Sequence, residues 1–253
     1  MRAILTYHSI DDSGSPISLT RAVFERHVKW LRTGRVRVTS IRELLTLPDD
    51  DDAVALTFDD GFRNFATDAM PILEALPATL FVVIDHVGRT NAWRGRSTPG
   101  IPTLPLLGWS ELSALQQKGV VLGAHTRTHA DLSTLDAAVV EDELAGSAER
   151  LRQETGATPD GFAYPYGRIS PTAVAAAGRT FQWACTTRLQ SLRTAEALLT
   201  LPRLDMYYFQ RPGLLESWGR PTFHAYVACR RLLRRGRQAA TAAADLGTRL
   251  TAQ

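Results

Sequence analysis

No run of about 18 consecutive apolar residues occurs in the chain, which excludes an ordinary transmembrane helix. The opening stretch, Met1-Arg2-Ala3-Ile4-Leu5-Thr6-Tyr7-His8, reads as a short strand and lacks the apolar core and cleavage site of a secretory signal. Taken as the full natural chain, the sequence is expected to be cytoplasmic. Cysteine is scarce: Cys185 and Cys229 lie far apart without CxxC spacing and read as two core or surface thiols. No internal repeat occurs, and no low-complexity segment precedes residue 230. The formal net charge is only +3, and Arg230, Arg231, Arg234, Arg235 and Arg237 supply more than all of it. The remaining body is slightly acidic, which excludes a nucleic-acid footprint there.

What is present is enough for a sizeable core. A chain of 253 residues suits one large domain or two small ones, and it buries roughly 70–75% of its unfolded surface. Strand-like runs alternate with helical ones. Ala3–Tyr7, Val36–Thr39, Ala53–Phe58, Ala78–Ile84, Val120–Gly123, Phe162–Tyr164, Trp183–Thr186 and Leu199–Leu204 read as strands. Helices are predicted after Thr20, at Ile41–Leu47, at Asn64–Leu76 with a bend at Pro71, and at Ser110–Lys118, Ser133–Glu154 and Pro171–Ala177. This alternation implies parallel strands with right-handed crossovers. The predicted fold is an α/β one, a distorted or incomplete (β/α) barrel of about seven to eight parallel strands over residues 1–220. Residues 221–253 then form a basic, amphipathic helical tail. In such barrels chemistry gathers at the C-terminal ends of the strands.

Three motifs sit at those ends. Thr57-Phe58-Asp59-Asp60-Gly61 places two carboxylates where an apolar strand stops; by itself it also reads as a solvated turn. His125-Thr126-Arg127-Thr128-His129 follows another strand. Its i, i+4 histidines would share one face of a helical turn and could grip one metal ion, or be two surface histidines. Phe162-Ala163-Tyr164-Pro165-Tyr166-Gly167 follows a third strand and alone means only an aromatic turn. Together they converge on one face of a barrel. Two histidines plus a carboxylate leave one coordination position open, the layout of catalytic zinc.

In this order the motifs resemble those of the polysaccharide deacetylases with a NodB-homology domain, carbohydrate esterase family four. The resemblance runs from about residue 1 to 210 and includes Val87–Trp93 and Leu107-Gly108-Trp109. It implies a hydrolase that removes N-acetyl groups from amino sugars of a polysaccharide, oligosaccharide or lipid-linked precursor. It implies a divalent metal, Zn2+ being favoured by histidine ligation, held by Asp60, His125 and His129, with Asp59 as general base. The Tyr166 backbone N–H would stabilise the oxyanion, with Pro165 fixing that turn and Tyr164 beside it. The chain departs from the family pattern twice. No arginine stands at Phe162 or Ala163, and the late segment Leu201–Asp205 has no histidine. Arg203 is the candidate to stand in for the arginine, orienting Asp59, against the alternative of a surface arginine. His8, at the end of the first strand, is the candidate general acid, against that of a hydrogen-bonded core histidine. Trp93 and Trp109, around the loop Gly88–Gly108, are candidates for stacking on a sugar, or for loop packing. The tail Tyr226–Arg237 suits either peripheral contact with an anionic membrane surface or a solvated terminal helix. A same-fold amidase acting on a non-sugar amide, or a silent glycan-binding barrel, are the competing readings.

Overall fold

The computed structural model describes residues 1–193 and 195–250, with side chains as far as Arg234. Among the described residues there are ten strands: β1 (Arg2–Tyr7), β2 (Ser9–Ile10), β3 (Ser18–Leu19), β4 (Arg37–Thr39), β5 (Ala53–Phe58), β6 (Ala78–Val82), β7 (Val121–Ala124), β8 (Gly161–Ala163), β9 (Trp183–Cys185) and β10 (Leu204–Asp205). Interleaved with them are α1 (Arg21–Leu31), α2 (Ile41–Leu44), α3 (Met70–Leu73), α4 (Trp109–Gln117), α5 (Ala137–Thr155), α6 (Pro171–Thr180) and α7 (Pro221–Leu250). β2 and β3 form a separate small pair; the other eight strands make one sheet, ordered β10-β1-β5-β6-β7-β8-β9 with β4 also on β5. Every pairing is parallel. The predicted parallel barrel is therefore what forms, and it is distorted in two places.

The first distortion is at β5. One edge pairs with β1 throughout, while β4 takes Ala53–Ala55 and β6 takes Leu56–Phe58 on the other. The second is the closure. Leu201 makes a single parallel bridge to Cys185 of β9, and three residues later Leu204 pairs with Leu5 of β1. The segment Leu201–Asp205 thus joins both ends of the curled sheet. The longer strand predicted at Leu199–Leu204 does not form; Leu198–Thr200 is a 3-10 turn, and Pro202 has no N–H to give a ladder.

Alternation along the strands sorts the core into two layers. Val54, Leu56 and Phe58 join Phe24 and Val28 of α1 in the outer layer. Ala53, Ala55, Phe81, Ala163, Trp183 and Cys185 fill the inside. Small residues leave room for the two inner aromatics: a Cβ on Gly161 would lie 2.0 Å from the Trp183 ring. Both cysteines are free thiols, Cys185 buried and Cys229 exposed, as the sequence predicted.

Some helices differ from expectation for local reasons. Thr20 caps α1 by accepting from the Val23 N–H. The helix predicted over 64–76 is instead a π turn, Phe65–Ala69, running into α3. Pro71 has no N–H for the carbonyl of Thr67, and Met70 N bonds back to Phe65. α2 stops at Leu44, three residues short. The loop 88–108 has an ordered base: Gly88 N donates to Leu107 O (2.8 Å) and Leu106 N to Arg89 O (2.8 Å). Buried Asn91 clamps the two arms, accepting from Leu104 N and donating to Pro102 O.

α7 begins where a tail was expected, but its first turns belong to the main core. Phe223 is buried against Phe209 and Trp218. Arg230 lies over Tyr208 and Tyr226, Arg231 donates to Gln190, and Arg234 lies over Tyr208. These arginines face the barrel rather than a free basic surface, while Leu232 and Leu233 are exposed. The side chains of Arg235 and Arg237 lie outside the described residues. Among the described residues, no helix is long and apolar enough to cross a membrane.

Candidate metal centre

The three motifs leave the sheet at the ends of β5, β7 and β8 and stay hydrogen-bonded to it for one more residue. Asp59 N donates to Tyr7 O (3.0 Å), His125 N to Val82 O (2.9 Å) and Tyr164 N to Cys185 O (3.0 Å). The backbone then turns sharply. Asp60 (φ 72°), Thr126 (65°), His129 (60°) and Tyr166 (61°) are all left-handed without being glycine. Each such residue costs roughly 1–2 kcal/mol. The turn at Asp60 breaks strand alternation, so Asp59 and Asp60 both line one cavity of about 280 Å³.

The two histidines do not sit on a helical turn, which corrects the sequence expectation. Left-handed Thr126 and His129 exclude a helix, and the loop is wound instead around Glu143 of α5. That buried carboxylate accepts from Arg127 N (2.8 Å), Thr128 N (2.9 Å) and Thr128 Oγ1 (2.6 Å). Sequence reasoning missed Glu143. Its signal was an acid in phase with apolar Val140 and Leu144 on the inner face of a helix.

The result is a cluster of acceptors. Asp60 Oδ1 lies 3.3 Å from His125 Nε2 and 3.3 Å from His129 Nε2. His125 Nδ1 is 2.7 Å from the Ala163 carbonyl, so Nδ1 carries the proton and Nε2 is bare. His129 Nδ1 meets the Tyr166 hydroxyl at 3.1 Å. Asp60 Oδ1 is itself buried without a hydrogen-bond partner. One carboxylate oxygen and two imidazole nitrogens so arranged could hold a cation. Ligands about 2.1 Å from a tetrahedral ion are about 3.4 Å apart, close to the separations seen. The residues present therefore fit a metal, and among the described residues this is the one such group. Burial would raise the Asp60 pKa, but the facing imidazoles hold it well below the usual carboxylate range. Burial presses both imidazoles down; the Asp60 and Asp59 carboxylates overcome this at His125 and not at His129.

Asp59 stands beside this cluster on a different footing. Arg203 donates to both its oxygens, Nη1 to Oδ1 and Nη2 to Oδ2, each at 2.7 Å. Arg203 Nε is tied to Thr186 O at 2.9 Å, and the guanidinium is buried over the Phe81 ring. Burial would push Asp59 up; the guanidinium holds it down. Arg203 is thus no surface residue, and it comes from the segment that closes the barrel. His8 Nε2 lies 3.7 Å from Asp59 Oδ2, and His8 lines the cavity.

Other predicted residues separate. Trp93 lines the cavity and stacks on His129, with ring centroids 4.4 Å apart and 22° between planes. Tyr164 and Tyr166 line it too. The Tyr164 hydroxyl is buried without a partner, while Pro165 opens the following turn. The Tyr166 N–H makes no hydrogen bond among the described residues. Trp109 is not here, which corrects its grouping with Trp93. It opens α4, which packs on α5, and its ring lies under Arg150 in a separate groove. The cavity also receives Asp205 and, unexpectedly, Arg234 of α7.

Comparison with known proteins bears on this geometry. The family profile of polysaccharide deacetylases matches residues 46–180, which span all three motifs. YxkH of Bacillus subtilis (strain 168), which carries the same family name, is 26% identical over 88% of this chain and 75% of its own. The poly-beta-1,6-N-acetyl-D-glucosamine N-deacetylase of Staphylococcus aureus (strain MSSA476) is 26% identical over 60% of this chain and 55% of its own. The crystal structure of BC0361, a polysaccharide deacetylase from Bacillus cereus, superposes with a TM-score of 0.67 at 25% identity. It covers 81% of this chain and 64% of that one. The chain thus spans little more than half of the staphylococcal protein and less than two thirds of BC0361.

Proposed function

The chain belongs to the polysaccharide deacetylase family, and from that premise we propose that it is a metal-dependent hydrolase removing acetyl groups from N-acetylated amino sugars of a glycan. The observation that carries this reading is the convergence of Asp60 Oδ1, His125 Nε2 and His129 Nε2 beside an arginine-clamped Asp59. Binding a sugar requires no such set, which disfavours a silent glycan-binding barrel.

Asp60, His125 and His129 would hold the ion, and two imidazoles with a carboxylate suit Zn2+. When bound, the ion supplies polarisation of the amide carbonyl and acidifies water toward a pKa of ~7. Asp59 takes the proton of the attacking water, and Arg203 keeps it ionised for that task. The unpaired Tyr166 N–H donates to the developing oxyanion, a contribution of roughly 3–4 kcal/mol for a well-placed donor. His8, 3.7 Å from Asp59 Oδ2 in the same cavity, delivers a proton to the leaving amine. Trp93 fixes the His129 ring and offers an aromatic wall to the sugar.

The test is acetate release from N-acetylglucosamine oligomers by chelator-stripped protein, before and after addition of Zn2+, Co2+, Ni2+ or Mn2+. Metal-restored release is expected. No release with any metal, alongside hydrolysis of a non-sugar amide in the same panel, would replace the reading by a same-fold amidase.

A further inference from the structure

A second cavity of about 280 Å³ shares a wall with the catalytic one. Thr187 and Arg234 line both; Thr186, Arg188, Thr200 and Arg231 line the second. Its three arginines are unequally satisfied. Arg188 is neutralised by Glu196 and also donates to Thr200 O (3.1 Å). Arg231 donates only to neutral groups here, Nη1 reaching Gln190 Oε1 at 3.1 Å. Arg234 approaches Asp205 Oδ2 at 4.0 Å, beyond hydrogen-bond reach. Arg231 Nε and Arg234 Nη1 are buried without a hydrogen-bond partner among the described residues. Guanidinium N–H groups left so are unfavourable, and the planar fork of arginine matches a carboxylate or phosphate.

We propose that this cavity is a subsite for an anionic oxygen group, phosphate or carboxylate, carried by the glycan substrate next to its N-acetylated sugar. The role of the neighbouring cavity rests on the deacetylase reading; the anion preference rests on the arginines alone. α7 is then part of the binding machinery, bringing its basic residues to the mouth of the site. This gives a function to the arginine cluster that the family motifs leave unexplained.

The full chain, metal-loaded, is titrated with inorganic phosphate by calorimetry, alongside an Arg231→Gln/Arg234→Gln variant. Arg234 lines both cavities and Arg231 only the second, so a loss repeated in Arg231→Gln alone reports this cavity. Affinity is expected to fall at least about tenfold in the variant, as for loss of charge-assisted hydrogen bonds. If the double variant does not fold, Arg231→Gln alone replaces it. Equal isotherms would overturn the subsite. Acetate release is then compared on neutral N-acetylglucosamine oligomers, N-acetylglucosamine 1-phosphate and a uronate-containing oligosaccharide. The charged substrate whose kcat/KM drops in the variant, relative to the neutral one, identifies the source of the anion. A binding loss with no charged substrate favoured would overturn its assignment to the substrate. Acetate release from neutral oligomers with unaltered phosphate binding sinks the subsite alone. Lost phosphate binding with no acetate from any substrate sinks the deacetylase reading alone.

Discussion

Replacing Arg203 by Met isolates the effect of the clamp on Asp59. Both side chains are buried and joined by two hydrogen bonds of 2.7 Å. Unit charges about 4 Å apart at an effective dielectric near 20 interact by about 4 kcal/mol. Removing one partner of a buried pair costs about 3–5 kcal/mol for the same reason. The same energy is about three powers of ten in the ionisation of Asp59. In the wild type Asp59 is held below its unfolded value. Its contribution to stability is therefore fully present above about pH 4 and is lost as pH falls through the folded pKa. In Arg203→Met, burial is opposed only by the nearby His8 and His125 imidazoles, and the folded pKa is expected to rise above the unfolded one. The sign then reverses: from about pH 4 upward the variant loses stability, because the folded state must hold a proton the unfolded state releases. Two assays follow. Denaturant unfolding at pH 4 and pH 7 should show the larger deficit at pH 7, and Asp59→Asn in the same background should recover most of it. The acid limb of kcat/KM should shift upward by about two to three pH units. A deficit under about 1 kcal/mol, or an acid limb that stays in place, would refute the clamp.

Three further outcomes are expected. His8→Ala should lower kcat about a hundredfold with KM nearly unchanged, as for loss of a general acid; undiminished turnover removes His8 from the mechanism. Chelation should abolish acetate release and lower the melting temperature by roughly 5–10 °C, since an ion at about a hundred times its Kd stabilises by about 2.7 kcal/mol. A calorimetric trace unmoved by chelator and by Zn2+ contradicts the cation site. Gly167→Ala would place a Cβ 2.1 Å from Thr187 Oγ1 at φ 67°. It should cost about 2–4 kcal/mol and depress kcat by displacing Tyr166, whose carbonyl accepts from Thr187. Wild-type stability in that variant would show that the turn is loose.

Much of the architecture was legible because strands buried on both faces announce themselves. Ala53–Phe58 is found as predicted, and the other main strands shift by a residue or two at their ends. What escaped was determined by tertiary context. The closure through Leu201–Asp205 rests on one bridge and two paired residues, too little to leave a periodic signature. The histidine pair was read at helical spacing, yet Glu143, distant along the chain, imposes another backbone. Trp109 sat beside the loop in sequence but belongs to a helix start on the outer layer. Arg203 could be named as a candidate from the missing family arginine, but its bidentate grip needed coordinates.

The strained residues explain why the site sits where it does. Of six non-glycine residues with left-handed φ among those described, four lie in the loops after β5, β7 and β8. At roughly 1–2 kcal/mol each, they are a substantial fraction of the 5–15 kcal/mol by which a domain is stable. Such loops persist only where strands and helices over-determine them. Here the strand ladders extend one residue into each motif, and Glu143 holds the second from behind. The cluster adds a further unfavourable feature, because Asp60 Oδ1 is buried without a hydrogen-bond partner, 3.3 Å from His125 Nε2 and from His129 Nε2. A cation bound there would relieve that feature, and its binding would then be linked to folding through the same three side chains.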